Sequence, residues 1–194
     1  MVNKYVAIDL ETTGLRAKHD KIIEIGAVKI ENGEIIDTYV TFVNPGLQIS
    51  DFTKNLTNIS QEELEGAPYI QEVLDEFLEF VGEYPLLGHQ ISFDYAFLKK
   101  AAVQEGKTFE KVGMDTLSLA RMYLQEEKSK KLVDLCKSLG ICHNAHRALD
   151  DARAAHELYQ LLLAKNEQVG QCQPTPLQFQ VKREAPASPR NKER

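Results

Sequence analysis

Lys4-Tyr5-Val6-Ala7-Ile8-Asp9-Leu10-Glu11-Thr12-Thr13-Gly14-Leu15 is the stretch on which the reading of this chain turns. Residues 4–10 are mostly apolar, with β-branched and aromatic side chains, and predict a buried strand. Side chains alternate faces along a strand, so Asp9 and Glu11 point the same way. Two carboxylates side by side at the end of a buried strand repel each other and lose hydration. Exposure of the strand end would relieve them. So would a hard divalent cation with oxygen ligands. The segment alone leaves both open.

Working outward, residues 22–30 predict a second strand and residues 34–43 a third. Asn32-Gly33 between them is the strongest short-range hairpin signal. The chain therefore opens with a three-stranded, antiparallel meander. Pro68 suits the first turn of a helix. Ile70, Val73, Leu74, Phe77, Leu78 and Val81 then recur at steps of three and four, an apolar helix stripe. Pro85-Leu86-Leu87-Gly88-His89 reads as a short strand and residues 93–105 as a helix. Val112-Gly113-Met114-Asp115 reads as a fifth strand. Helices are expected near 116–125, 131–139 and 147–164, the last with Ala148, Ala152, Ala155, Tyr159 and Leu162 on one face.

From Lys165 onward the periodicity stops. Residues 165–194 hold four of the seven prolines, with six basic and three acidic residues. They are expected to form a flexible tail, in which Leu177, Phe179 and Val181 alternate as in an edge strand or docking peptide. Residues 1–164 are then a single domain carrying 17 basic and 26 acidic residues, a net −9 against −6 for the chain of 194. That balance speaks against a broad basic nucleic-acid patch, since such binding rests on phosphate neutralisation. It does not exclude nucleic acid as a transient substrate. Cys136, Cys142 and Cys172 are an odd set without disulfide-scaffold density, so a reducing, cytoplasmic setting is expected. No apolar run approaches the roughly 18–20 residues that span a bilayer, and the opening residues carry no signal-peptide pattern.

Further acids recur along the chain. Asp94 opens a helix after Gly88-His89-Gln90-Ile91-Ser92-Phe93. Asp150 and Asp151 open the last helix, just after His146. Singly, each acid is explained as a first-turn complement to the helix dipole. In that order, however, Asp9-x-Glu11, Asp94, and His146 five residues before Asp151 resemble the DEDDh family of 3′-to-5′ exonucleases, most closely its proofreading epsilon-type (DnaQ-like) branch. The matching text includes Val6 to Leu15, Ile22-Ile23-Glu24-Ile25-Gly26-Ala27-Val28, Leu87-Gly88-His89-x-x-Phe93-Asp94-x-x-Phe97-Leu98, Leu135-Cys136-x-x-Leu139-Gly140-Ile141 and Ala145-His146-Arg147-Ala148-Leu149-x-Asp151-Ala152.

The resemblance implies an α/β, ribonuclease H-like fold: a mixed five-stranded sheet, three antiparallel strands then two parallel, flanked by helices. It implies metal ligands at Asp9, Glu11, Asp94 and Asp151 for two divalent ions, Mg²⁺ or Mn²⁺, with Asp9 shared between them. It implies a general base at His146. Contacts to the terminal nucleotide fall on Thr12, Thr13, Gly14 and Leu15, with His89 and Phe93 near the cleft. The expected substrate is a nucleic-acid 3′ end, DNA in preference to RNA, with a DNA polymerase a possible partner through residues 166–194; the alternatives are an exoribonuclease trimming RNA or short oligonucleotides, and a polymerase-associated, partner-binding subunit that acts through this tail. Two positions depart from the family pattern: Gln90 where Asn is usual, and Asn58 where Gly is usual. Both bear on the nucleotide pocket rather than on the metal ligands.

Rival readings are weaker. Cys136, Cys142, His143 and His146 resemble a zinc set only loosely, because Cys136 sits on an apolar helix stripe and no paired CxxC is present. Asp115 is expected to cap the following helix. His19 and His156 are expected in solvent. No P-loop or dinucleotide fingerprint occurs.

Overall fold

A computed structural model describes residues 3–169 and 177–178. β1 (Lys4–Thr12), β2 (Ile22–Glu31) and β3 (Glu34–Phe42) form the expected meander. β1 pairs antiparallel with β2, and β2 with β3. The hairpin between β2 and β3 turns on two residues, Asn32 at φ 52° and Gly33 at φ 86°. Both positive dihedrals are what the mirror-image two-residue turn requires.

Two short helices follow, α1 (Asp51–Thr57) and α2 (Gln61–Glu65), in a region the periodicity left blank. α3 (Ile70–Val81) carries the apolar stripe, with Val73, Leu74, Phe77 and Val81 buried. Its N-cap is Tyr69, so Pro68 lies one residue before the N-cap rather than in the first turn of the helix. β4 (Leu86–Gly88) adds parallel to β1, and α4 (Ser92–Gln104) follows. β5 (Val112–Asp115) adds parallel to β4. α5 (Thr116–Tyr123), α6 (Leu132–Leu139) and α7 (Ala148–Val169) complete the helices among the described residues. β6 (Leu177–Gln178) pairs antiparallel with β5, giving the order β3-β2-β1-β4-β5-β6.

The five-stranded mixed sheet is thus as expected, with β6 as a two-residue addition at one edge. α7 runs to Val169, past the limit of 164 read from its stripe. The alternation over Leu177, Phe179 and Val181 falls partly on β6; Phe179 and Val181, with the other residues of 170–176 and 179–194, lie outside the described residues. Among the described residues, no helix is long and apolar enough to cross a membrane.

The alternation of β1 sorts the molecule into layers. Val6, Ile8 and Leu10 pack with Phe77, Val81, Phe97 and Leu98 of α3 and α4 on one face. Tyr5 and Ala7 pack with Leu119, Leu135, Leu158 and Tyr159 of α5, α6 and α7 on the other. Asp9 and Glu11 continue the odd-numbered series, and so face the layer that contains α7.

Candidate active site

β1 is a central strand, bordered by β2 and β4. It runs buried until Asp9, which is half-buried, and Glu11 is 9% exposed. Opposite them in the antiparallel register lie Gly26 beside Asp9 and Glu24 beside Glu11. Gly26 has a specific reason to be glycine. A Cβ there would stand 2.1 Å from the backbone carbon of Ala148. The start of α7 therefore rests directly on β2, and this close approach carries Asp151 to β1. One ligand atom each from Asp9, Glu11 and Asp151 lies within 4.8 Å of the others.

Glu24 fastens that contact. Its side chain is buried, accepting from the Arg147 guanidinium at 3.1 Å through one oxygen and from the Ala148 amide at 3.1 Å through the other. Asp151 is held at both oxygens too. The Arg147 amide donates to Oδ2 at 3.1 Å, and Nε2 of His143 meets Oδ1 at 2.6 Å. The His143 side chain is 4% exposed.

Asp94 comes from the first turn of α4. It is 3% exposed and accepts from the Leu10 amide at 3.1 Å, which ties α4 to the end of β1. It stands outside the close group of three, but its charge is felt at Asp9. Burial holds the Asp9 carboxyl well above the usual range, reinforced by Asp94, Asp151, Glu11 and Glu24 in that order. Burial likewise raises Asp94, against the pull of its amide hydrogen bonds. Burial, then Asp151 and Glu24, push Glu11 up to about 8, with Arg147 opposing. Such a group of crowded, desolvated carboxylates is short of positive charge. Its donor atoms are all hard oxygens, the set that fits a divalent cation such as Mg²⁺.

His146 is exposed and sits just before α7 with φ 65°. It lines a cavity of about 470 Å³ that also reaches Asp151, His143 and His89. His89 is committed at both ring nitrogens: Nδ1 meets the Thr116 hydroxyl at 2.9 Å and Nε2 donates to the Lys130 carbonyl at 2.7 Å. Phe93 is half-buried against Phe97, with ring centroids 5.0 Å apart. The Thr12–Leu15 loop is braced from within. Thr12 Oγ1 donates to the Gly14 carbonyl at 2.7 Å, and the Thr13 amide to the Lys21 carbonyl at 2.9 Å. A Cβ at Gly14 would meet the Asp20 carboxyl at 2.7 Å. Leu15 projects from this loop, 84% exposed.

Several expectations change. The loose zinc set does not form: Cys136 is buried in the core, Cys142 is exposed, and neither joins the carboxylate group. His156 is not in solvent. It is 6% exposed, with Nδ1 2.9 Å from the Tyr5 hydroxyl, and burial lowers its pKa. Its place four residues after Ala152 and three before Tyr159 already put it on the buried face of α7. Asp115 does cap α5, accepting from the Leu117 amide, and also accepts from the Gln90 amide at 2.7 Å. Both departures from the family pattern fall where the backbone is left-handed, Gln90 at φ 72° and Asn58 at φ 55°. The roles of Glu24 and His143 at the site were not among the sequence expectations, His143 having figured only in the loose zinc set. The signal for Glu24 was a lone charge inside an apolar strand, which must find a buried partner.

A family model described as exonuclease matches residues 6–159. The chain is 46% identical over 164 residues to the PolC-type DNA polymerase III of Clostridium perfringens (strain 13 / Type A), covering 84% of this chain and 11% of that one. It thus spans about a tenth of the length of the curated relatives it matches. In fold it resembles exonuclease X in complex with 5′ overhanging duplex DNA, with a TM-score of 0.67 and 24% identity, covering 87% of this chain and 94% of that one. It also resembles the rAMP-bound nuclease domain of 3′hExo, a DEDDh family member, with a TM-score of 0.70 and 23% identity, covering 84% of this chain and 92% of that one. With the family model reaching from β1 through β5 into α7 and holding all four candidate acids, the chain belongs to the exonuclease family.

Proposed function

We propose that the chain removes nucleotides from the 3′ end of DNA, by hydrolysis of phosphodiester bonds to nucleoside 5′-monophosphates, in proofreading or repair. The observation that carries this reading is the convergence of Asp9, Glu11 and Asp151, from strand and helix, within 4.8 Å. Asp9, Glu11, Asp94 and Asp151 would hold two divalent ions, Mg²⁺ or Mn²⁺. When bound, these supply charge stabilisation to the attacking and leaving oxygens at phosphorus.

The remaining work belongs to the chain's own side chains. Thr12 to Leu15 and Phe93 would flank the terminal nucleotide, with the internally bonded loop presenting Leu15 to the sugar or base. His89 lines the cavity beside His146 and Asp151, its ring fixed there by its bonds to Thr116 and Lys130. His146, exposed at the mouth, would take a proton onto an imidazole nitrogen from the attacking water, the role of a general base. Residues 1–164 would form the catalytic domain. Residues 166–194 would reach a protein partner in the cytoplasm, a DNA polymerase in view of the PolC-type relatives.

The test is degradation of 5′-labelled single-stranded DNA and RNA oligomers with Mg²⁺ and with Mn²⁺. A descending ladder, faster on DNA, is expected, and Asp9→Asn or Asp151→Asn should abolish it. Cleavage that persists in Asp9→Asn sinks the mechanism. RNA cleaved as fast as DNA removes the substrate preference and leaves an exoribonuclease.

A further inference from the structure

The cavity beside Asp151 and His146 is cationic, in a chain whose formal charge is −6. Arg121 from α5, and Lys130 and Lys131 from the segment ahead of α6, stand on its wall. Lys130 is occupied, donating Nζ to the Glu127 carbonyl. Arg121 and Lys131 are exposed, and among the described residues neither forms an ion pair. Acids outnumber bases in this chain, so two unpaired cations on one wall mark a local reversal of charge.

The wall is also held in place. The 2.7 Å bond from His89 Nε2 to the Lys130 carbonyl pins the cationic segment to the loop between β4 and α4. That is the loop that leads to Asp94. The rest of the wall includes Leu117, Leu132 and Val133, an apolar surface suited to sugar and base faces. None of Thr12 to Leu15 lines this cavity, which leaves it open to a part of the strand other than the nucleotide those residues would hold.

We infer that this cleft takes the strand on the 5′ side of the scissile bond, with Arg121 and Lys131 meeting internal phosphates of single-stranded nucleic acid. The inference rests on the exonuclease reading and extends it. A strand whose scissile phosphate lies at Asp9, Glu11 and Asp151 has a nucleotide on either side. The Thr12–Leu15 loop takes one side, and the cleft opens from Asp151 on the other. The apolar wall tolerates any base, because every base presents a flat face, and the two cations read only the backbone. The acid excess elsewhere repels the strand from other paths over the surface.

The experiment compares wild type with the double variant Arg121→Ala/Lys131→Ala. Anisotropy of fluorescein-labelled oligo(dT), in EDTA and over a range of KCl, reads binding without turnover. Each cation that meets a single-strand phosphate contributes about 0.7 to the slope of log affinity against log salt. The double variant should therefore lose about 1.4 of that slope and roughly 25-fold of affinity at about 0.1 M salt. With Mg²⁺ present, the ratio of kcat/KM for oligo(dT) to that for thymidine 5′-(p-nitrophenyl phosphate) should fall as well. Arg121→Lys/Lys131→Arg should keep the wild-type slope. An unchanged slope in the alanine variant overturns the inference, as does an equal loss in the charge-preserving variant. A wild type that hydrolyses neither substrate sinks the exonuclease reading instead, and the EDTA titration still judges the cleft.

Discussion

Asp151 shows how little freedom a ligand carboxylate is left here. One oxygen meets His143 Nε2 and the other accepts from the Arg147 amide. Groups that hold a ligand in this way typically contribute 10–100-fold to metal affinity or activity. His143→Leu is therefore expected to weaken Mn²⁺ binding by about 10–100-fold in calorimetry. His143→Gln, which keeps an amide donor, should retain more of it. Tighter Mn²⁺ binding in His143→Leu would instead mean that His143 competes with the ion for Asp151. His146 differs in kind, since it is exposed. His146→Ala should leave Mn²⁺ affinity in place and slow cleavage by about 100-fold or more. Near-full activity of that variant at pH 8 would remove it as the base. The alternation of β1 made Asp9 and Glu11 legible. His143 was not, because a loop residue has no periodicity, and only the fold brings it back onto a residue eight positions on.

At the scale of elements, the contact of β2 with the start of α7 decides whether a site exists. Sequence periodicity places both elements but is silent on how closely they approach. The glycine that permits the approach reads, in sequence, as just another small strand residue. Gly26→Ala sets a methyl group 2.1 Å from the Ala148 backbone, and backbone cannot rotate aside as a side chain can. Overpacking of this kind costs about 3 kcal/mol at its ordinary upper end, which for a chain of this size lowers Tm by about 6–12 °C. Because Asp151 rides on α7, the same substitution should also weaken Mn²⁺ binding. A loss of Tm with wild-type Mn²⁺ affinity would show that α7 can shift without carrying the ligand away. The long strands and α3 were legible from period and turn chemistry. α1 and α2, of 7 and 5 residues, were not, being too short for a period. Their signal was in the caps: Ser60 and Glu63 form a reciprocal capping box, a pattern visible in the sequence.

For the whole molecule, the acid excess ties stability to pH and to metal. The Glu11 carboxyl rises from 4.5 to about 8 on folding, and Asp9 and Asp94 shift the same way. A raised carboxyl means that the folded protein keeps a proton which the unfolded chain has released. The stability this brings is fully present below the unfolded value and is lost as pH rises through the folded one. Two other groups act in the opposite sense. Burial lowers His89 and His156 below 6.5, so their contribution is present above that value and is lost as pH falls. Between roughly pH 7 and 8.5 the histidine contribution is already complete, and the carboxylates dominate the slope. In EDTA, Tm is therefore expected to fall across that interval. Glu11→Gln, which cannot ionise, should flatten the fall. Divalent ions bind the ionised carboxylates, so saturating Mg²⁺ should raise Tm, and by more at the upper end of the interval than at the lower. A Tm in EDTA that stays level or rises from pH 7 to 8.5 would mean that the cluster ionises without cost. The crowding of Asp9, Glu11 and Asp151 would then be relieved by the protein itself, and the cluster would have no electrostatic need of a cation.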